Sequence, residues 1–215
     1  MFPFPFSFVA PTSADVPLEL IDNNFAMEFD AASSQYIDTG ILNLNGTDFS
    51  ISYWFKTTAT LSAFNYYVPF SAVTNYQFTG AYLYFLGTLT VGSKNNAGTF
   101  VRGTTDLSDG NWHHIVVTYD ISSYALKMYV DGSIDYDETI SSINTFNQPL
   151  LLGGKSSSQY LIDCSIDEAA CWNKVLELED VQTIYNATND NPGKCANLFT
   201  AGLGTDLVLW NRMGD

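Results

Sequence analysis

His113 and His114 are the only histidines in the chain, and a histidine can serve as a general base or as a metal ligand. No serine or cysteine nucleophile and no second histidine at metal spacing stands near them in sequence, so both read as structural. One is expected to hydrogen-bond a backbone carbonyl. On a strand, two adjacent side chains point to opposite faces. The same rule applies to the adjacent carboxylates Asp167 and Glu168. A retaining glycosidase needs two carboxyl groups about 5 Å apart across one bond, and alternation denies them that geometry. Hydrolase chemistry is therefore not expected. The three cysteines, Cys164, Cys171 and Cys195, match no zinc or redox spacing. Cys164 and Cys171, seven positions apart on one strand, should face opposite ways and cannot pair. A Cys171–Cys195 bridge is the one pairing left open; the alternative is three buried free thiols.

These side chains must be positioned by β-strands. Phe25-Ala-Met-Glu-Phe29, Phe49-Ser-Ile-Ser-Tyr-Trp-Phe-Lys56, Ala81-Tyr-Leu-Tyr-Phe-Leu86, Trp112-His-His-Ile-Val-Val-Thr-Tyr119 and Leu126-Lys-Met-Tyr-Val130 are rich in β-branched and aromatic residues. Turn signals separate them, and Asp131-Gly132 suits a two-residue hairpin turn with positive φ. In residues 49–56, Phe49, Ile51, Tyr53 and Phe55 share one face while Ser50, Ser52 and Lys56 share the other, which predicts a half-buried strand. Many short strands at this spacing mean a sandwich or barrel. A single amphipathic helix is predicted over residues 178–185, with Leu178, Val181, Ile184 and Tyr185 on one stripe and acids in its first turn.

The sequence divides into an extended arm (residues 1–23), a β-sandwich (24–186) and a tail (187–215) with a final strand within Asp206-Leu-Val-Leu-Trp210. In the arm, Phe2, Phe4, Phe6 and Phe8 alternate with Pro3, Pro5 and Ser7. Proline cannot donate to a central ladder, so the arm either packs back on its own domain or lies across a neighbouring copy. The chain has 215 residues, 46% of them apolar, and a net charge of −15 from 8 basic and 23 acidic residues. Eight scattered cations give no patch for phosphate backbones or for anionic membrane surfaces. No run approaches the roughly 18 to 20 apolar residues that span a bilayer, and the apolar start lacks the basic n-region of a secretory signal.

Three stretches, in this order, resemble the laminin-G-like branch of the concanavalin A-like lectin/glucanase superfamily. They are residues 29–37 with 49–56, residues 111–120 with 126–132, and Ser165-Ile-Asp-Glu-Ala169 followed by Trp172-Asn-Lys-Val-Leu176 and the helix. The resemblance implies an all-β, two-sheet antiparallel jelly-roll sandwich with one short C-terminal helix. Two positions depart from the family pattern: Ala31 replaces its usual Gly and Glu177 its usual Ser cap, so the first turn and the helix start are expected to be less regular. The glucanase branch carries a Glu-x-Asp-x-(x)-Glu strand, and this sequence has no such string. In the tail, Asn186-Ala-Thr-Asn-Asp-Asn-Pro-Gly193 and the closing Trp210-Asn-Arg-Met-Gly-Asp215 are similar to segments that follow such domains in structural proteins of marine bacteriophages.

Those similarities imply a non-enzymatic virion structural or decoration protein that contacts identical or other virion subunits through Phe2, Phe4, Phe6, Phe8 and Trp210, as an oligomer or part of an assembly. The alternatives are a lectin-like adhesion module on a phage or cell surface and a self-assembling extracellular filament subunit. No cofactor is required on this reading. Asp30 and Asp167 stand where laminin-G-like and pentraxin-like relatives place calcium-contacting carboxylates, with Glu168 beside them, so these three are the candidate calcium ligands. Tyr66, Tyr67, Tyr76 and Tyr160, with Asn65, Asn75 and Gln77, supply the aromatic and amide groups of a candidate glycan site.

Overall fold

The computed structural model describes residues 18–44, 46–59, 65–74, 77–85, 89–94, 100–140, 147–154 and 160–213. The Phe-rich stretch of the expected arm, Asn75 and Tyr76 lie outside the described residues. Alternating apolar residues do form strands. Seven of them make one antiparallel sheet in the order β11 (Ser133–Thr139), β10 (Ala125–Val130), β9 (His113–Asp120), β4 (Phe49–Lys56), β13 (Cys164–Trp172) and β15 (Leu207–Asn211), with β2 (Met27–Phe29) paired to the start of β13. A six-stranded sheet runs β3 (Ile37–Asn43), β12 (Asn147–Leu152), β5 (Asn65–Thr74), β6 (Gln77–Phe85), β7 (Leu89–Lys94) and β8 (Phe100–Arg102). A small third sheet pairs β1 (Leu20–Asp22) with β14 (Lys194–Ala196). The expected arm therefore ends in a strand of the folded body.

Between the two large sheets lies the core. Phe49, Ile51, Tyr53 and Phe55 of β4 and Ile115, Val117 and Tyr119 of β9 meet Phe70, Leu83, Val91, Leu150 and Leu152 from the facing sheet. Tyr53 sits edge-on to Phe70, their centroids 5.9 Å apart. Each such side chain stabilises the fold by roughly 1.5–3 kcal/mol. Asp131 and Gly132 turn the β10–β11 hairpin with φ of 51° and 73°, as expected. A Cβ on Gly132 would come within 2.8 Å of the Tyr185 ring.

The outer face of the seven-stranded sheet is covered as well. The helix α1 (Leu178–Asn189) and the segment through Leu198 and Leu203 bury Val116, Tyr129, Ala170 and Trp172. Strand β4 is consequently buried on both faces, not on one. Its serines are matched to this setting: Ser50 Oγ donates to Lys174 O (2.7 Å) and accepts from Leu176 N–H (2.8 Å), and a buried hydroxyl left unpaired would be costly. The helix runs four residues beyond the expected end at 185, because Ala187 is buried in the outer cluster and holds the last turn against the sheet. Its start is regular despite Glu177, since Asp180 accepts the Glu177 N–H in a capping box. The first turn also closes around Ala31, with Asp30 accepting the Ala32 N–H. Strand β15 pairs with β13, so the tail is an integral edge of the sandwich.

An irregularity in β13 shapes the outer face. Asp167 pairs with Trp54 and the next register partners are Ala170 and Ser52, so two residues of β13 stand opposite Tyr53 alone. This is a β-bulge, and Glu168 within it has φ 49°. The added residue inverts the alternation: Ile166, Ala169 and Cys171 point into the core, whereas Asp167 and Glu168 both reach the outer side, beside Trp54. The expectation that these two carboxylates face apart is corrected. The expectation for Cys164 and Cys171 is reversed too, because both enter the inner core. Cys195 lies on the outer side with Glu168 and Trp210, across the sheet from Cys171, so that bridge does not form and all three thiols are free.

Candidate binding site on the outer face

Above the bulge the outer face opens into a pocket of about 420 Å³, within the roughly 300–1,000 Å³ typical of small-molecule sites. Its lining is drawn from across the chain. Asn23, Asn24 and Phe25 come from the link between β1 and β2, Trp54 from β4, and Trp112 from just before β9. Asp167 comes from the bulge, and Thr188 and Asn189 from the end of α1. The link is pinned by Asn23 N–H donating to Gly193 O at 2.9 Å.

Trp54 forms the floor. It is 8% exposed, and its ring stacks on Tyr185 (5.8 Å, 20°) and against His114 (5.2 Å, 32°), which fixes its orientation. Trp112 and Phe25 are 38% and 61% exposed and line the same pocket, as aromatic surface open to a ligand. Three buried polar atoms of lining residues, Trp54 Nε1, Asn23 Oδ1 and Thr188 Oγ1, have no hydrogen-bond partner among the described residues. A buried polar group without a partner costs about 1–3 kcal/mol, and all three atoms belong to residues of the lining. Asp167 accepts the Glu168 N–H at 2.8 Å and, among the described residues, is the only charged one in the lining.

Beneath the pocket the groups are committed to each other. His114 is fully buried and its Nε2 lies 2.9 Å from Ser52 Oγ. Burial drives its pKa down to about 4, so the ring is neutral near pH 7. This serine–histidine pair lies under Trp54 and admits no substrate. His113 is held between Asp131 (2.8 Å) and Asp109 (3.1 Å), and its hydrogen bond to Asp131 leads the effects that raise its pKa. The partners of the two histidines are carboxylates and a hydroxyl in place of the expected backbone carbonyl. Glu168 Oε2 accepts from Trp210 Nε1 at 2.7 Å, with Arg212 Nε 3.5 Å from its other oxygen. Burial raises the Glu168 carboxyl and the Trp210 hydrogen bond opposes it. The space beside this cluster is about 10 Å³, too little for a ligand. Trp210, expected as an anchor to neighbouring subunits, is partly buried and donates this hydrogen bond within its own domain.

The other expected site residues do not gather. Asp30 is engaged in its own turn, accepting from Ala32 N–H and Ser33 Oγ, and among the described residues no group of three metal-ligating side chains forms. Asp30, Asp167 and Glu168 thus form no common ligand group among the described residues. Of the candidate sugar-binding tyrosines, Tyr67 is buried in the core and cannot be a platform. Tyr160 is partly exposed at a turn with φ 59°. Tyr66 lies on β5. Neither Tyr67 nor Tyr160 lines the pocket. The sequence does hold one signal for the residues that do: Trp54 is the lone aromatic on the face of β4 that carries Ser50, Ser52 and Lys56.

Comparison with known proteins agrees with this architecture. No curated protein sequence matches the chain significantly. Among solved structures, it superposes on the receptor binding domain of botulinum neurotoxin D with a TM-score of 0.57 at 16% identity, covering 81% of this chain and 49% of that one. The binding domain of Paraclostridial Mosquitocidal Protein 1 gives 0.53 at 14%, covering 79% and 47%. A heptameric SAP-like pentraxin from Limulus polyphemus gives 0.52 at 15%, covering 80% and 83%. The chain spans about half the length of the toxin domains it matches, and at these identities the likeness is one of fold. A sequence model of the concanavalin A-like lectin/glucanases superfamily matches residues 31–182, more than half of the 215; with two antiparallel sheets in a jelly-roll arrangement and a single helix at their C-terminal end, the chain belongs to that superfamily.

Proposed function

We propose that this chain is a non-catalytic carbohydrate-recognition module and that the outer-face pocket is its sugar site. The observation that carries the reading is the convergence in one concavity of exposed aromatic surface (Trp112, Phe25) with a rigid buried Trp54 and with residues whose buried polar atoms have no partner among the described residues. Pyranose rings present the same duality, an apolar face for aromatic contact and a rim of hydroxyls. A hydrolytic role finds no support at the pocket, whose lining offers one carboxylate among the described residues where glycoside hydrolysis uses two. The fold neighbours are consistent with recognition: they include a botulinum neurotoxin serotype D ligand binding domain in complex with N-acetylneuraminic acid. The test is a glycan array probed with the intact protein and with Trp112→Ala. Trp112 is half-exposed, so its loss should leave folding intact while removing at least ten-fold in apparent affinity for whatever sugar is bound. Saturable binding that survives this substitution would place the sugar elsewhere.

A further inference from the structure

We infer that the pocket is selective by charge: it takes a neutral, hydroxyl-rich pyranose unit and turns away acidic sugars such as uronates, sialic acids and sulfated residues. This rests on the sugar-site reading and deepens it. The charge that the described lining itself contributes is negative. Among the described residues Asp167 is the only ionisable side chain in the lining, which holds no lysine, arginine or histidine. The end of α1 supplies Thr188 and Asn189 to the same wall, and its last turn contains no basic residue. A helix C-terminus carries a partial negative charge, so it adds to the carboxylate. Both act at short range on whatever the cleft holds. The molecule as a whole, at −15, repels anions before they arrive.

The hydrogen-bonding atoms point the same way. Of the three buried groups lacking a partner among the described residues, Trp54 Nε1 can only donate, Asn23 Oδ1 can only accept, and Thr188 Oγ1 can do either. The amide of Asn189 is already engaged, its Nδ2 with Asp190 and its Oδ1 with the Tyr185 hydroxyl. A sugar hydroxyl both donates and accepts, so it suits either kind of group. A carboxylate or sulfate only accepts. It would find the indole N–H, the Thr188 hydroxyl and the amide N–H groups of Asn23 and Asn24, all of them neutral, with the Asn23 carbonyl and Asp167 set against it. Neutral donors beside a carboxylate are too little to desolvate an anion.

The experiment uses matched probes: oligosaccharides ending in glucose, galactose or mannose, and the same scaffolds carrying a terminal uronate, sialic acid or sulfate. The intact protein is expected to bind at least one neutral probe ten-fold or more tightly than its acidic counterparts. Asp167→Asn, which keeps the shape and the acceptor for Glu168 N–H, should cut that preference to three-fold or less. Trp54→Phe, which keeps the ring stack and removes the N–H, should weaken the neutral probe several-fold. Raising the salt concentration should narrow the preference without any substitution. Equal or tighter binding of an acidic probe, abolished by Trp112→Ala, would overturn the charge selectivity and leave the sugar site standing. A preference unmoved by both Asp167→Asn and salt would also overturn it. No binding to any probe, or binding indifferent to Trp54→Phe and Trp112→Ala, would overturn the sugar site itself.

Discussion

His114 is a neutral ring because burial leaves nothing to solvate its cation, and that makes it an acid-sensitive element of the fold. Its folded pKa, about 4, lies below the ordinary 6.5, so the unfolded chain takes up the proton first as pH falls. The contribution is intact above pH 6.5 and is withdrawn progressively toward pH 4, on the order of 3 kcal/mol in all. His113, whose pKa is raised, acts in a different window: its stabilisation is complete below the unfolded value and is lost as pH rises through the folded one. Asp109 and Asp120 are held down to about 2 by hydrogen bonds from Asn111 and from Ser122 with Ser123, and their contributions fade only below about pH 4. The Glu168 carboxyl, raised by burial, gains on protonation and opposes His114. His114→Gln isolates the histidine. Urea unfolding between pH 7 and pH 4 should show the wild type losing about 3 kcal/mol more than the variant; parallel stability curves would refute the assignment.

At the scale of elements, the bulge in β13 is held from outside. Glu168 at φ 49° occupies a conformation that costs a non-glycine residue about 1–2 kcal/mol, and its side chain is tied to Trp210 of β15. Trp210→Phe keeps the packing against Phe199 and removes the indole donor from a buried carboxylate. The expected loss is about 1.5–3 kcal/mol, the range for hydrogen bonds to charged groups. Combined with Glu168→Gln in a double-mutant cycle, the two changes should be strongly non-additive, and simple additivity would show that β15 does not stabilise the bulge through this contact. The helix acts in a similar way on the pocket floor: Tyr185 of α1 stacks on Trp54, so the orientation of a residue on β4 depends on an element more than a hundred positions later.

For the molecule as a whole, stability comes from two stacked clusters, one between the large sheets and one between the seven-stranded sheet and its cover. All three thiols fall inside the folded body. Burial raises the pKa of Cys164 and Cys171, and that of Cys195 to about 12, so none is a reactive thiolate at neutral pH. Thiol reagents should label none of them in the native protein and all three on unfolding, with a melting midpoint unaffected by reductant; fast labelling of Cys195 would mean the cover opens. Because Asp30, Asp167 and Glu168 form no common ligand group among the described residues, a chelator should likewise leave the melting midpoint unchanged, and a drop on chelation would reveal a bound ion that stabilises by mass action.

Much of this was legible from the residues alone. Period-two alternation in 49–56 and 113–120 is a local property, and it determined the strands, the inward set from Phe49 to Tyr119 and, with the Asp131-Gly132 turn, the all-β sandwich. The 3.6-residue stripe of Leu178, Val181 and Ile184 determined the helix. What alternation cannot report is a change of its own phase. A single bulge residue is selected by the partner strand and by β15, and it moved Glu168 to the outer side and Cys171 into the core. Nor can a strand's pattern show that its polar face will be covered: Ser50 and Ser52 read as solvent-facing until Leu176 and His114 supply their hydrogen bonds. The pocket was the least legible part, since Asn23, Trp54, Trp112, Asp167 and Thr188 share no local motif and meet only because five separate segments converge there. That convergence is a product of long-range packing, and tertiary structure alone decided it.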